Sequence, residues 1–241
     1  MKKINNCGKR KGIRDIWWNA FFVKTCVKWA QGDIPECPTE LIEIPEDLLT
    51  WPEAVKLYNK LIKKNKNFKH NAYVCFFCDD YLFDGPRGIW NNYYKAIEII
   101  KHFSGMISPD FSTYKDFPTP LKVWNTYRMR AFGYWCTTQG INVINNVRWS
   151  PDTMDICFKG IPKNSIVCLG VIASDIRKAI NWPEYEYYLK LMVKELQPKI
   201  ILVYGSARYK FFKELQNQGI VVKSYQTSRN RKKAAAGDCH E

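Results

Sequence analysis

Polar residues gather where the apolar runs of this sequence stop. Asp79-Asp80 follow the run 72–78, and Asp110 closes Ser108-Pro109-Asp110 after Gly105-Met106-Ile107. Asn145-Asn146 and Arg148 end the run that starts at Ile141, and Gly205-Ser206 follow Ile200-Ile201-Leu202-Val203-Tyr204. Carboxylates at such places are the hard oxygen donors that Mg²⁺ or Mn²⁺ takes while keeping several waters. Asp80 with Asp110 is the expected metal pair, with Asp84 on the nearby loop and Asn145 or Asn146 as a further oxygen. Neighbours on a strand face opposite ways, so only one of Asp79 and Asp80 can enter a common site. The competing role for each is a cap or turn, in which Asp and Asn satisfy backbone N–H groups.

Arg87, Arg128, Arg130 and Arg148 supply the opposite charge. Arginine offers a planar fork of donors that matches phosphate. Arg128 and Arg130 are two apart on a predicted helix and diverge by about 200°. Arg148 is the better placed, since it ends a strand beside Asn145-Asn146; its alternative role is a salt bridge to one of the aspartates. At Gly205-Ser206-Ala207-Arg208 a strand turns into a helix. Ser206 reads as an N-cap, and the free N–H groups that follow form an anion site. The expected catalytic set is thus Asp80, Asp110, Asn145, Asn146 and Arg148. Gly205, Ser206, Arg208 and Arg87 are the expected phosphate contacts.

Other chemistries find no support. His70, His102 and His240 are scattered, and neither a phosphate-binding P-loop nor a dinucleotide fingerprint occurs. No haem, flavin or dinucleotide is indicated. Cys75 and Cys78 form a C-x-x-C inside a predicted strand, where residues three apart face opposite sides. Cys157 and Cys168 read as core residues. Cys7, Cys26 and Cys37 precede the main fold, and Cys239-His240 end it, without paired metal-ligand spacing.

The elements that must position these groups follow from periodicity. Near-continuous apolar runs at 41–44, 72–78, 105–108, 141–147, 165–172, 199–204 and 219–225 read as strands covered on both faces. Helical stripes lie between them at 90–103, 121–135, 184–196 and 206–216. Pro52 and Pro183 mark helix starts, and Gly140, Pro198 and Gly219 mark ends. Units of roughly 30 residues match the βαβ module, whose right-handed crossovers bring all strand ends to one side. The expected fold is α/β with a mostly parallel sheet, wound as an incomplete (β/α) barrel. An open doubly wound sheet is the alternative.

The chain has 241 residues, 46% hydrophobic and 15% aromatic, enough for one large core. Its net charge of +14 sets up a field that attracts polyanions. Residues 1–40 read as a basic arm with an amphipathic helix at 13–30; residues 41–228 read as one α/β domain; residues 229–241 read as a flexible basic tail. Lys9, Arg10, Lys11 and Arg14, with Trp17, Trp18 and Trp29, are the expected nucleic-acid contacts of the arm. The alternative is that its tryptophans pack onto the body. No apolar run approaches the ~20 residues that span a bilayer, and the N-terminus lacks a secretory pattern. A cytoplasmic protein without a membrane partner is expected.

Phe83-Asp84-Gly85-Pro86-Arg87-Gly88-Ile89-Trp90-Asn91-Asn92, Ile107-Ser108-Pro109-Asp110-Phe111-Ser112-Thr113-Tyr114, the stretch from Trp124 through Arg128-Met129-Arg130 to Trp135, Val143-Ile144-Asn145-Asn146-Val147-Arg148-Trp149 and Val203-Tyr204-Gly205-Ser206-Ala207 carry a resemblance. They resemble a family of bacterial and phage proteins catalogued as domain of unknown function 4417. The resemblance covers roughly 41–224 and implies a bacterium, a phage or another mobile element as source. It implies no activity and no catalytic residues. Two functions lead for these residues, with a small-molecule-binding barrel lacking polyanion affinity as a third. One is an enzyme acting on nucleic acid or nucleotide phosphates at the strand ends with a divalent metal. The other is a non-catalytic nucleic-acid-binding protein whose polar mouth is structural.

Overall fold

The computed structural model describes residues 28–39, 43–172 and 174–237. A short antiparallel pair, β1 (Trp29–Ala30) and β2 (Ile34–Pro35), comes first. Seven parallel strands follow: β3 (Leu48–Thr50), β4 (His70–Cys75), β5 (Phe103–Ile107), β6 (Val143–Asn146), β7 (Ile166–Gly170), β8 (Ile200–Tyr204) and β9 (Val221–Tyr225). Each pairs with the next in chain order, so the sheet reads β3-β4-β5-β6-β7-β8-β9. The order never reverses, which is barrel-type winding and rules out the doubly wound alternative. Helices α1 (Trp51–Leu61), α2 (Tyr93–Ile100), α3 (Thr119–Thr138), α4 (Trp182–Leu196), α5 (Lys210–Asn217) and α6 (Ser228–Gly237) complete the chain.

Strand alternation divides the core in three. Leu48, Tyr73, Cys75, Ile107, Ile144, Cys168, Leu202, Tyr204 and Tyr225 gather as one inner cluster, to which all seven strands contribute. Val74, Met106 and Val143 face outward, packed with Ala54 of α1, Ile97 of α2 and Phe132 of α3. Val167, Leu169, Ile201 and Val203 pack with Leu189 and Met192 of α4 and Phe212 of α5. An inner cluster shared by the first and last strands means the sheet curls into a half-barrel. Among the described residues β3 and β9 form no ladder. Side chains bridge the seam instead: Tyr225 Oη–H and Lys223 Nζ donate to the Pro45 carbonyl at 2.6 and 2.7 Å.

Six of the seven strands lie where the apolar runs predict them. The first does not: Leu48–Thr50, rather than 41–44, forms the edge. Leu48 is fully buried inside the curl, and Thr50 starts α1 through a capping box. In that box Glu53 Oε2 accepts from Thr50 N at 2.9 Å and Thr50 Oγ1 at 2.7 Å, satisfying helix-end donors. The helix expected at 206–216 begins only at Lys210, with Tyr209 as its N-cap. Gly205 has φ +121°, and Arg208 N donates to Ser206 Oγ at 3.3 Å, so the chain makes a turn first. Ser206 is therefore not the helix cap.

The N-terminal boundary also differs. Ile34 and Cys37 are fully buried, and Cys37 N donates to Gly160 O at 2.8 Å. Residues 34–39 thus pack on the body rather than preceding it. Trp29 and Ala30 are strand, not the end of a helix. Residues 13–27 of the expected helix, the arm residues Lys9, Arg10, Lys11 and Arg14, and Cys7, Cys26, Cys239 and His240 lie outside the described residues. The basic tail starts with α6, whose Arg231 is ion-paired to α1. Cys157 and Cys168 are core residues, as their surroundings predict.

Candidate functional site

Because the strands are parallel, Asp80, Asp110, Asn146, Arg148 and the 205–208 turn all follow strand ends on the same edge of the sheet. Ligands of α/β folds gather at this edge. Asp110 is its centre. Asn146 Nδ2 donates to Asp110 Oδ1 at 2.7 Å, and Arg148 Nη1 donates to Oδ2 at 2.8 Å. The two charged side chains are 13% and 16% exposed. Burial pushes the Asp110 carboxyl above its ordinary value, and Arg148 and Asn146 offset this only in part. The Arg148 guanidinium lies 5.2 Å from the centre of the Tyr114 ring, a cation–π distance.

Asn145 and Asn146 part company through strand alternation. Asn146 follows Ile144, Asn145 and the pleat to the inner side, whereas Asn145 Nδ2 donates outward to Cys37 O at 2.8 Å and Thr39 Oγ1 at 3.0 Å. Asn145 is an anchor for residues 37–39 and does not reach Asp110's cluster.

Asp80 has a local partner. Its Oδ1 accepts from Ser112 Oγ at 2.8 Å and its Oδ2 from Ser112 N at 3.1 Å. Asp84 pairs with both terminal nitrogens of Arg128 at 2.9 Å, and Arg128 lies 3.8 Å from the Phe111 ring centre. Arg128 also holds Asn125 Oδ1, and Asn125 Nδ2 donates to Ser112 O at 2.5 Å. Asp80, Asn125, Arg128 and Asp84 therefore clamp the loop that carries Asp110. Arg130 diverges from Arg128 and is fully buried, donating to the carbonyls of Asn146, Cys157 and Lys159. Burial without a carboxylate lowers its pKa to about 10. Arg87 is exposed on the 85–88 turn, and Arg208 is exposed beside Ser206.

An open cavity of about 420 Å³ adjoins Asp110 and Arg148. Its wall includes Thr113, Tyr114, Trp149, Tyr185 and Tyr188, and also Lys115, Asp116, Asp175 and Glu184. Lys115 is paired with Glu184 at 2.6 Å, and Asp175 with Lys178 at 2.7 Å. Asp80, Arg87, Gly205, Ser206 and Arg208 do not line it. Thr113 Oγ1 and Asn146 Oδ1 are buried without a hydrogen-bond partner among the described residues. Tyr185 and Tyr188 read in the sequence as a helix stripe, and their i, i+3 spacing holds no hint of a cavity wall. Thr113 lies within the long 107–114 motif, which was the available signal.

Both oxygens of Asp80 and both of Asp110 accept from protein donors. Among the described residues no three His, Cys, Asp or Glu side chains converge as a metal site. No helix among those residues is long and apolar enough to cross a membrane.

Comparison with known proteins follows the same boundaries. No solved structure matches the chain. A "Gene 1 protein" of Mycobacterium phage L5 is 30% identical over 182 residues, covering 73% of this chain and 72% of the phage protein. A "Gene 1 protein" of Mycobacterium phage D29 is 33% identical over 138 residues, covering 56% of this chain and 48% of its own length. The matched region 34–226 starts at the first buried residue of β2 and ends just past β9, and over it the chain belongs to the family described as domain of unknown function DUF4417.

Proposed function

We propose that the protein binds a phosphate-bearing nucleotide, free or at the end of a nucleic-acid strand, in the mouth at the carboxyl ends of β5–β7. Asp110 is the group placed to take or give a proton there. Arg148 carries the reading. It lines the cavity, its side chain is only 16% exposed, and its one protein hydrogen bond among the described residues goes from Nη1 to Asp110. Its remaining N–H donors are free for an oxyanion. The walls supply rings for a base: Tyr114, Trp149, Tyr185 and Tyr188. The volume suits a ligand of nucleotide size. A carboxyl with a raised pKa in a cleft beside a cation is a usual signature of acid–base chemistry. The phage relatives are in keeping with a role in a phage or mobile element, inside the cell.

This reading does not draw on the Asp80–Asp110 metal pair. The test is calorimetric titration with nucleoside mono- and triphosphates and a short single-stranded oligonucleotide. The parent should bind at least one of these, and Arg148→Gln should weaken it by about 10- to 100-fold, the worth of a charge-assisted hydrogen bond. A parent that binds none overturns the proposal. The second reading, a non-catalytic nucleic-acid binder, draws on the net charge of +14. It requires oligonucleotide binding that falls steeply with salt and is indifferent to Arg148→Gln.

A further inference from the structure

We propose that Thr113 sets ligand specificity in the mouth, its hydroxyl donating to the oxyanion that Arg148 holds; this rests on the nucleotide reading above. Thr113 is 5% exposed, yet it forms part of the cavity wall. Its Oγ1 is buried and has no hydrogen-bond partner among the described residues. Buried hydroxyls rarely stay unpaired, because the desolvation is uncompensated. Other threonines of this region are satisfied: Thr119 by Asp152, Thr126 by Lys122 O and Thr153 by Ser150 O.

The unpaired state is not a matter of a loose loop. Ser112, its neighbour, is held by three hydrogen bonds: its amide and hydroxyl donate to Asp80, and its carbonyl accepts from Asn125. On the other side, the Tyr114 ring packs against the Arg148 guanidinium. The backbone at Thr113 is thus pinned between the Asp80 clamp and the Arg148 contact. A site residue held this way is preorganised by its supporting shell. A hydroxyl and a guanidinium with free donors on the wall of one cavity make a two-point receptor for a phosphate-type oxyanion. The ligand supplies the partner that the protein withholds.

Thr113→Val replaces the hydroxyl by a methyl of equal size. Without ligand, the variant should melt about 2–4 °C above the parent, since an unpaired buried hydroxyl is removed. With the nucleoside monophosphate that the parent binds best, its affinity should fall about tenfold, and Thr113→Ser should restore it. Inorganic phosphate, titrated alongside, should show the same ranking at weaker affinity. A Thr113→Val protein that melts well below the parent would make the hydroxyl structural and overturn the inference. So would parent-like nucleotide affinity in that variant. Should Arg148→Gln lose binding while Thr113→Val keeps it, only this inference fails. Should the parent bind no nucleotide, both readings fall together.

Discussion

Arg231 of α6 donates from Nη2 to Glu53 Oε2 of α1 at 2.7 Å, joining the helix after the last strand to the helix after the first. Its Nη1 also reaches Asp47 Oδ1 at 3.4 Å and Gln226 O at 2.9 Å. Ser228 N, at the start of α6, donates to Tyr204 Oη at 2.8 Å. A curled sheet with no β3–β9 ladder leaves backbone groups and an inner core at risk along the seam. Arg231, Tyr225 and Lys223 cover it with side-chain bonds in place of a missing strand.

Glu53 gives this seam a pH dependence. Burial alone would raise its carboxyl, but the Thr50 hydroxyl and amide, Ser228 and Arg231 together hold it below its ordinary value of 4.5. A depressed carboxyl stabilises the fold above its unfolded-state pKa, and that contribution fades as pH falls through the lower folded value. Arg231→Gln should cost about 1–3 kcal/mol at pH 7. The gap between parent and variant should close at pH values below the ordinary carboxylate range. Urea melts at neutral and acid pH measure this; an equal gap at both would detach Glu53 from the effect.

Legibility in the sequence varied with the range of the contact. Strands β4 to β9 were readable because a strand buried on both faces is an apolar run, and the βαβ spacing then orders the strands. Which of Asn145 and Asn146 faces inward was not readable, since it depends on the register of β6 against β5 and β7. Asp80 was readable as a strand-end acid, but its partner Ser112 lies 32 residues on. Residues 1–40 read as an arm apart from the body, whereas Cys37 and Ile34 are sealed by Gly160, Asn145 and α3, contacts without any local pattern.

Gly160 tests how closely residues 34–37 must approach the body. Its φ is +76°, and a Cβ there would stand 2.3 Å from Pro35 O and 3.0 Å from Ile34 Cγ2. Neither a left-handed backbone nor that contact suits alanine. Gly160→Ala should destabilise the protein by about 2–4 kcal/mol, from strain and overpacking combined. It should also speed proteolysis within residues 28–39 relative to the rest of the fold. Unchanged stability would mean that β2 does not need this close approach.

Asp110→Asn separates the roles that a strand-end acid can play. The substitution keeps the shape and Asn146's neighbour but removes the charge opposite Arg148. Truncating one member of a part-buried pair leaves the other uncompensated. The expected cost is about 1–3 kcal/mol, the range for a charged hydrogen bond. Burial raises the Asp110 carboxyl in the folded state, so its effect on stability has the opposite sign to that of Glu53. The folded form binds this proton more tightly than the unfolded chain, and stability from Asp110 declines as pH rises from its ordinary value of 3.8 through the higher folded value. Asp110→Asn removes that decline, so across this range the variant's stability should vary less with pH than the parent's. Thermal melts with added Mg²⁺ or Mn²⁺ complete the test. Both oxygens of Asp110 already accept from Asn146 and Arg148, so the metal-induced shift should be the same in parent and variant. A shift present in the parent and lost in Asp110→Asn would restore the metal role to this carboxylate, and Arg148 would then have to release Oδ2 for the cation to bind.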